Sequence, residues 1–166
     1  MSERKKREQP QPPREPESPR EPAPPPGPPS QRGRRHGRFG WTLLLVSLVF
    51  GAVLETLEGF RWGPMVGDAW KQRLWSLAHF HGAAFGLLNL VYVPWADASA
   101  VPPRLRVAAS RALLAGSTLM PLGFLLGGLG HFEGDPSLGI LLAPVGAALI
   151  GITALIQAVA AWRRSG

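Results

Sequence analysis

The sequence contains no cysteine. This absence excludes disulfide bonds, thiolate metal sites and a cysteine nucleophile. Charged residues are also scarce in four long apolar stretches, residues 39–60, 74–96, 107–130 and 138–162. Each stretch is at least as long as the ~20 residues that an α-helix needs to cross about 30 Å of hydrocarbon. Because little sequence remains for a soluble core, we predict an all-α fold, an integral membrane four-helix bundle.

Large apolar side chains are nearly absent from residues 1–38, which instead hold eleven of the eighteen prolines. Such a segment cannot bury enough surface to offset the conformational entropy lost on folding. We therefore expect residues 1–38 to form a disordered N-terminal tail, rich in proline and arginine, and residues 39–162 to form the transmembrane domain. No small-x-small cleavage site follows the first apolar stretch, so we do not expect a cleaved signal peptide.

The net charge of +7 is unevenly distributed. Fifteen of the eighteen Lys and Arg residues fall in the tail, between the second stretch and Arg111 at the start of the third, and at the C-terminal end. Because basic residues accumulate on the cytoplasmic side of membrane proteins, we predict a multi-pass protein of the plasma (inner) membrane with both termini in the cytoplasm. The charge therefore indicates topology and contact with anionic lipid, and not a nucleic-acid partner. The residues expected to contact lipid head groups directly precede the first stretch: Arg32, Arg34, Arg35 and Arg38.

Ionisable side chains within the apolar stretches are candidates for function, because they are costly at membrane depth. Glu55 and Glu58 are three residues apart in the first stretch and therefore share one helix face. That face continues back through Gly51 to Ser47, small residues that allow another helix to approach closely. We therefore expect Glu55 to face protein and not lipid.

The second stretch contains His79 and His81, which point about 200° apart around a helix. His79 shares its face with Gly82, a face suited to packing, whereas His81 lies on a bulkier side that we expect to face lipid. In the predicted orientation, Glu55 and His79 lie about 7 Å inside the outer ends of their helices. His131 lies in the same outer layer, at the end of the third helix. Further polar residues that are secondary candidates are Asn89, Glu133 and Asp135.

The outer layer has two main interpretations. In the first, the carboxylates and imidazoles satisfy one another as a structural polar network, which contributes about 0.6–2 kcal/mol per pair. In the second, His79, His131 and Glu55 bind a haem or a divalent metal, since two histidines and a carboxylate form a suitable ligand set. His79 and His131 resemble the helix-borne histidines of small bacterial membrane cytochromes b. The resemblance covers only these two residues and implies haem as the cofactor.

Two further functions compete with these interpretations. Glu55 and His79 could relay protons or a small solute, which four helices allow only for a very small substrate or as a homo-oligomer. Hydrolysis is the least supported function, because the serines of the chain have no base nearby in a recognisable motif. The sequence therefore favours a small polytopic membrane protein without an evident enzymatic site, in which the outer His/Glu layer is a structural network. The serines considered are Ser47, Ser76, Ser110 and Ser117.

Overall fold

The computed structural model describes residues 30–63, 67–98, 101–130 and 135–163. Each of the four long helices in this part of the chain is long and apolar enough to cross a membrane. The predicted all-α membrane fold is therefore confirmed. The helices are α1 (Gln31–Gly59), α2 (Ala69–Ala98), α3 (Pro103–Gly127) and α4 (Leu142–Trp162), the last preceded by a 3₁₀ turn (Leu138–Leu141).

The first helix begins at Gln31, well before residue 39, where the sequence predicts the first span to start. Ser30 caps the helix, because its Oγ atom accepts a hydrogen bond from the backbone N–H of Gly33 at 3.0 Å. No proline follows Pro29 in this region, and the arginines that come next favour a helix. The predicted tail boundary at residue 38 needs correction, since residues 31–38 form the first two turns of α1. Residues 1–29 lie outside the described residues.

α1 packs along α2 through small residues on both helices. A side chain at position 40 would collide with the backbone carbonyl of Gly86, and a side chain at position 82 would collide with the hydroxyl of Ser47. Gly51 lies directly under the imidazole ring of His79. Glycines at these places let two backbones come close enough for van der Waals packing, which is what joins helices where water is absent.

Small residues line the contact between the last two helices. Gly123 of α3 lies against the backbone of Ala143 in α4, and no side chain would fit between them. Between two and three turns further along α4, the hydroxyl of Thr153 donates to the backbone carbonyl of Ala109 in α3 at 3.1 Å. The pairing of α3 with α4 is therefore a close contact over much of their length.

α2 lies between α1 and α3 and contacts both. Tyr92, Ala96 and Leu113 form a buried apolar cluster between α2 and α3. Toward the other end of α2, the indole Nε1 of Trp75 donates to the backbone carbonyl of Leu125 at 3.1 Å. Because both sides of α2 are covered, its side chains reach two neighbouring helices at once.

Large apolar side chains cover the outside of the bundle. Trp41, Val91 and Leu155 are each 65% exposed. A soluble monomer rarely exposes extensive apolar surface of this kind, whereas lipid tails cover it without cost. The chain is therefore a multi-pass membrane protein.

Candidate functional site

A fully buried histidine lies at the end of the bundle where α1 begins. His36 is in the second turn of α1, and 0% of its surface is exposed. Its ring lies against the ring of Tyr92, with the centroids 4.9 Å apart and the planes tilted by 42°. His36 and Gly40 are four residues apart and share the face of α1 that packs on α2. The early start of α1 therefore carries this imidazole into the protein.

Both ring nitrogens of His36 are hydrogen-bonded to side chains of other helices. Nδ1 is 2.7 Å from Oδ1 of Asn89 in α2, and Nε2 is 2.7 Å from Oγ of Ser110 in α3. Three helices therefore meet at one imidazole. Because a buried polar group left without a partner costs about 1–3 kcal/mol, these bonds also limit how the helices can rotate against one another.

The donor and acceptor roles follow from Asn89. Its Nδ2 atom donates to the backbone carbonyl of Phe85 at 2.8 Å and to Oγ of Ser117 at 2.9 Å. Both amide hydrogens are thus used, so Oδ1 is an acceptor and Nδ1 of His36 must donate to it. In the neutral imidazole Nε2 is then an acceptor, and the hydroxyl of Ser110 donates to it. We call Ser110, His36, Asn89 and Ser117 the histidine network.

Ser110 also lies on the wall of a cleft of about 240 Å³ between the start of α1 and α3, which we call the arginine cleft. Three arginines are among its lining residues, Arg32, Arg35 and Arg111. Among the described residues, its lining includes no carboxylate. A concave site lined by one sign of charge concentrates ions of the opposite sign, so the arginine cleft favours an anion.

The histidine network places a base beside a serine. The sequence gives no reason to place a base beside any serine, yet Ser110 has the imidazole of His36 within hydrogen-bonding distance. A serine hydroxyl becomes a nucleophile when an imidazole acts as its base and a third group orients that imidazole. The fold therefore brings Ser110, His36 and Asn89 into this arrangement, although no local sequence pattern predicts it.

Of the predicted outer layer, the structure describes Glu55, Glu58 and His79, whereas His131 lies outside the described residues. Glu55 and Glu58 are exposed, although we expected Glu55 to face protein. The reason is that the face of α1 packed on α2 runs through Gly51 to Leu54 and leaves Glu55 outside it. His79 does face α1, where its Nδ1 atom bonds to the backbone carbonyl of Ser47 at 2.8 Å. This region therefore holds a packing contact.

The haem or metal site formed by His79, His131 and Glu55 stays a prediction, because His131 lies outside the described residues. Its two described members do not fit such a site together, since Glu55 is exposed while the ring of His79 lies over Gly51. Within the described ranges, no three His, Asp or Glu side chains lie close enough to hold a metal. Glu133 also lies outside the described residues, and Asp135 is exposed.

His81 is half-buried, whereas its bulky face led us to expect contact with lipid. Its ring lies 5.0 Å from the ring of Phe124 in α3, and its Nδ1 atom bonds to the backbone carbonyl of Leu77 at 2.8 Å. Because α2 is held between two helices, its opposite faces are both covered. His79 therefore addresses α1, and His81 addresses α3.

Sequence reasoning misses His36 and ranks Asn89 only as a secondary candidate. A signal for His36 exists, because the small-residue face of Gly51, Ser47 and Gly40 reaches His36 when it is extended back by four residues. This extension requires the helix to begin at the serine cap. The partnership of His36 with Ser110 has no local signal, since it depends on how α1 approaches α3.

Comparisons of the chain with models of protein families, with curated proteins and with solved structures find no match. A function must therefore be argued from the site itself.

Proposed function

We propose that this membrane protein binds the phosphate-bearing head group of an anionic lipid in the arginine cleft, at the cytoplasmic face of the plasma (inner) membrane. The observation that carries the proposal is the convergence of Arg32, Arg35 and Arg111 on one cleft. Guanidinium groups bind phosphate oxygens through paired, charge-assisted hydrogen bonds. A phosphate is therefore the anion that this lining suits best.

The depth of the arginine cleft supports a lipid as the ligand. Arg32 and Arg35 lie in the first two turns of α1, directly before the apolar stretch that begins at Phe39. The head-group region of a bilayer is roughly 5–8 Å thick on each side of the hydrocarbon. Long arginine side chains reach this region while their stems stay in the apolar part. The lipid phosphates and the cleft therefore occupy the same level.

The distribution of basic residues supports the cytoplasmic side. Fifteen of the eighteen Lys and Arg residues belong to the end of the bundle that holds the arginine cleft or to segments attached to it. The cytoplasmic leaflet carries the anionic lipids, and each basic residue near its surface contributes about 1 kcal/mol of attraction. Both the predicted topology and the supply of ligand thus favour the same orientation.

Lipid titration of the purified protein tests the proposal. In a neutral detergent, phosphatidylglycerol should raise the melting temperature more than phosphatidylcholine does. Arg35→Gln and Arg111→Gln should each weaken this response, because each removes one guanidinium from the cleft. Arg104→Gln is the matched control, since Arg104 is an exposed arginine of α3 that does not line the cleft. Equal losses in Arg104→Gln and Arg111→Gln would mean that general surface charge, and not the cleft, binds the lipid.

A further inference from the structure

We infer that Ser110 is the nucleophile of a site that cleaves an ester bond of the lipid bound in the arginine cleft, an inference that rests on the proposed lipid binding. The substrate class is a glycerophospholipid with an anionic head group. Ser110 belongs both to the arginine cleft and to the histidine network, because it lines the cleft and its Oγ atom is 2.7 Å from Nε2 of His36. Neither part alone would point to this chemistry.

The histidine network has the geometry that activates a hydroxyl. A general base must lie within about 2.6–3.2 Å of the atom whose proton it takes, and Nε2 of His36 meets this condition. Asn89 accepts from the opposite nitrogen and thereby holds the tautomer in which Nε2 can receive the proton. A serine or cysteine, a histidine and an Asp or Asn share these roles in several unrelated folds. Asn89 is therefore a positioning residue.

The surroundings of Ser110 suit an ester substrate. Attack on a carbonyl carbon places negative charge on the carbonyl oxygen, and positive groups fixed near that oxygen stabilise the transition state. Arg35 and Arg111 share the cleft with Ser110, so their positive charge acts on this oxygen as well as on the phosphate that they hold. The ring of Tyr92 and the helices around His36 keep water from the base, which strengthens the polar interactions there.

The order of groups along α1 matches the order of groups in a phospholipid. Arg32 precedes His36 by one turn, so the arginine lies about 6 Å nearer to the head-group end of the helix. In a bilayer the ester carbonyls of a lipid lie on the hydrocarbon side of its phosphate. A phosphate held by the arginines therefore places the ester group toward the depth of His36 and its partner, Ser110.

A purely structural network would not require a serine on the cleft wall. Ser117 provides the comparison within the same helix, because it is fully buried, bonds to Asn89 and does not line the arginine cleft. Ser110 is likewise buried, at 7% exposure, yet its residue forms part of the cleft lining. The fold thus separates an internal serine from one that a ligand can reach.

The reaction balances without an oxidant or a metal as co-reactant. Oγ of Ser110 bonds to the acyl carbon while its proton passes to Nε2 of His36. The bond from the acyl carbon to the glycerol oxygen breaks, and His36 returns the proton to that oxygen. Water then attacks the acyl carbon and gives a proton to His36, which passes it to Oγ of Ser110 as the acyl bond to the serine breaks. The products are a lysophospholipid and a fatty acid, which releases its proton to solvent.

Labelling of the full-length protein with a small fluorophosphonate tests the inference, because this reagent forms a covalent bond only with an activated serine. The protein is held in phosphatidylglycerol vesicles, and the modified peptide is identified by mass spectrometry. We expect the label on Ser110, and release of fatty acid from the vesicles. In Ser110→Ala both should disappear, whereas Ser76→Ala should keep labelling within about threefold; Ser76 is the matched control because it is an exposed serine of α2 outside the histidine network. His36→Gln should slow labelling by about 100-fold or more, as loss of a general base does.

A variant of Asn89 separates the activation of Ser110 from a role in folding. Asn89→Asp keeps an acceptor for Nδ1 of His36 and adds negative charge, so labelling should continue and the acidic limb of its pH profile should move to higher pH. A role in packing alone would not move that limb. Absence of label on Ser110 in the wild-type protein, under conditions that fully label a serine esterase, overturns the inference whatever the variants do. If lipid binding then still depends on Arg35 and Arg111, the proposed function stands; labelling without any dependence on anionic lipid refutes the binding instead.

Discussion

Nε2 of His36 and Oγ of Ser110 are 2.7 Å apart, although 74 residues separate them in the chain. The contact joins the second turn of α1 to the second turn of α3, and Asn89 of α2 holds the other side of the imidazole. One buried side chain therefore ties three helices together at a single level of the membrane. The same level carries the arginine cleft, so structure and chemistry meet at this end of the bundle.

Removal of the central imidazole should destabilise the protein more than removal of the histidine beside α1. His36→Ala leaves polar atoms of Asn89 and Ser110 buried without a partner. Each such atom lowers the free energy of unfolding by about 1–3 kcal/mol. His79→Ala removes a bond to a backbone carbonyl of α1, which belongs to the helix's own hydrogen-bond ladder. Melting temperatures of both variants in one detergent provide the comparison. A larger loss in His79→Ala would show that the main polar contact lies toward the other end of the bundle.

The close contact of α3 with α4 should tolerate no added methyl group. In Gly123→Ala the new Cβ would meet the backbone of Ala143, and overpacking of this kind typically costs about 1–3 kcal/mol. Gly151→Ala is the matched control in α4, because open space surrounds that position and alanine favours a helix by up to ~1 kcal/mol. Denaturation of both variants in mixed micelles measures the difference. Equal stability of the two variants would contradict the described helix pairing.

The start of α1 should depend on its serine cap and not on the segment before it. A chain that begins at Ser30 should insert in the membrane and melt as the full-length protein does, because the cap and all described helices remain. In that shortened chain, Ser30→Ala should lower stability by about 1 kcal/mol, the usual value of an N-cap. Membrane fractionation and thermal unfolding check the two parts. Failure of the shortened chain to insert would assign a structural role to residues 1–29.

Much of the fold follows from patterns that are local in the sequence. The four apolar stretches predict the helices, since their length matches a bilayer, and the small residues Ser47, Gly51 and Gly82 predict the faces through which α1 and α2 pack. These features depend only on helix geometry and residue size. They need no knowledge of which helix lies beside which.

The site depends on information of a different kind. His36 belongs to a basic segment that follows a proline-rich one, so average composition assigns this residue to the tail. In the structure the helix begins after the cap at Ser30 and therefore includes His36. The burial of His81 requires α2 to have neighbours on two sides, and the meeting of His36 with Ser110 requires the approach of α1 to α3. Such arrangements arise from tertiary packing, which residue spacing within one helix does not encode.

The predicted orientation of the bundle is open to a direct test. The excess of Lys and Arg at one end predicts that this end, with both termini, lies in the cytoplasm. A reporter that is active only in the cytoplasm should be active when it is fused after Ser165. A reporter that is active only outside the membrane should be active when it is inserted at Gly134. The opposite pattern at both positions would reverse the orientation and place the arginine cleft on the outer face.

His36 is held between Asn89 and Ser110 in one tautomer, and nitrogen NMR of the protein labelled at histidine tests this arrangement most directly. In an alkaline buffer, where imidazole is neutral, the His36 signals should place the hydrogen on Nδ1 and none on Nε2. The Nε2 signal should shift in Ser110→Ala and stay unchanged in Arg104→Gln. A hydrogen on Nε2, or hydrogen exchange with water as fast as that of an exposed histidine, would contradict the described network.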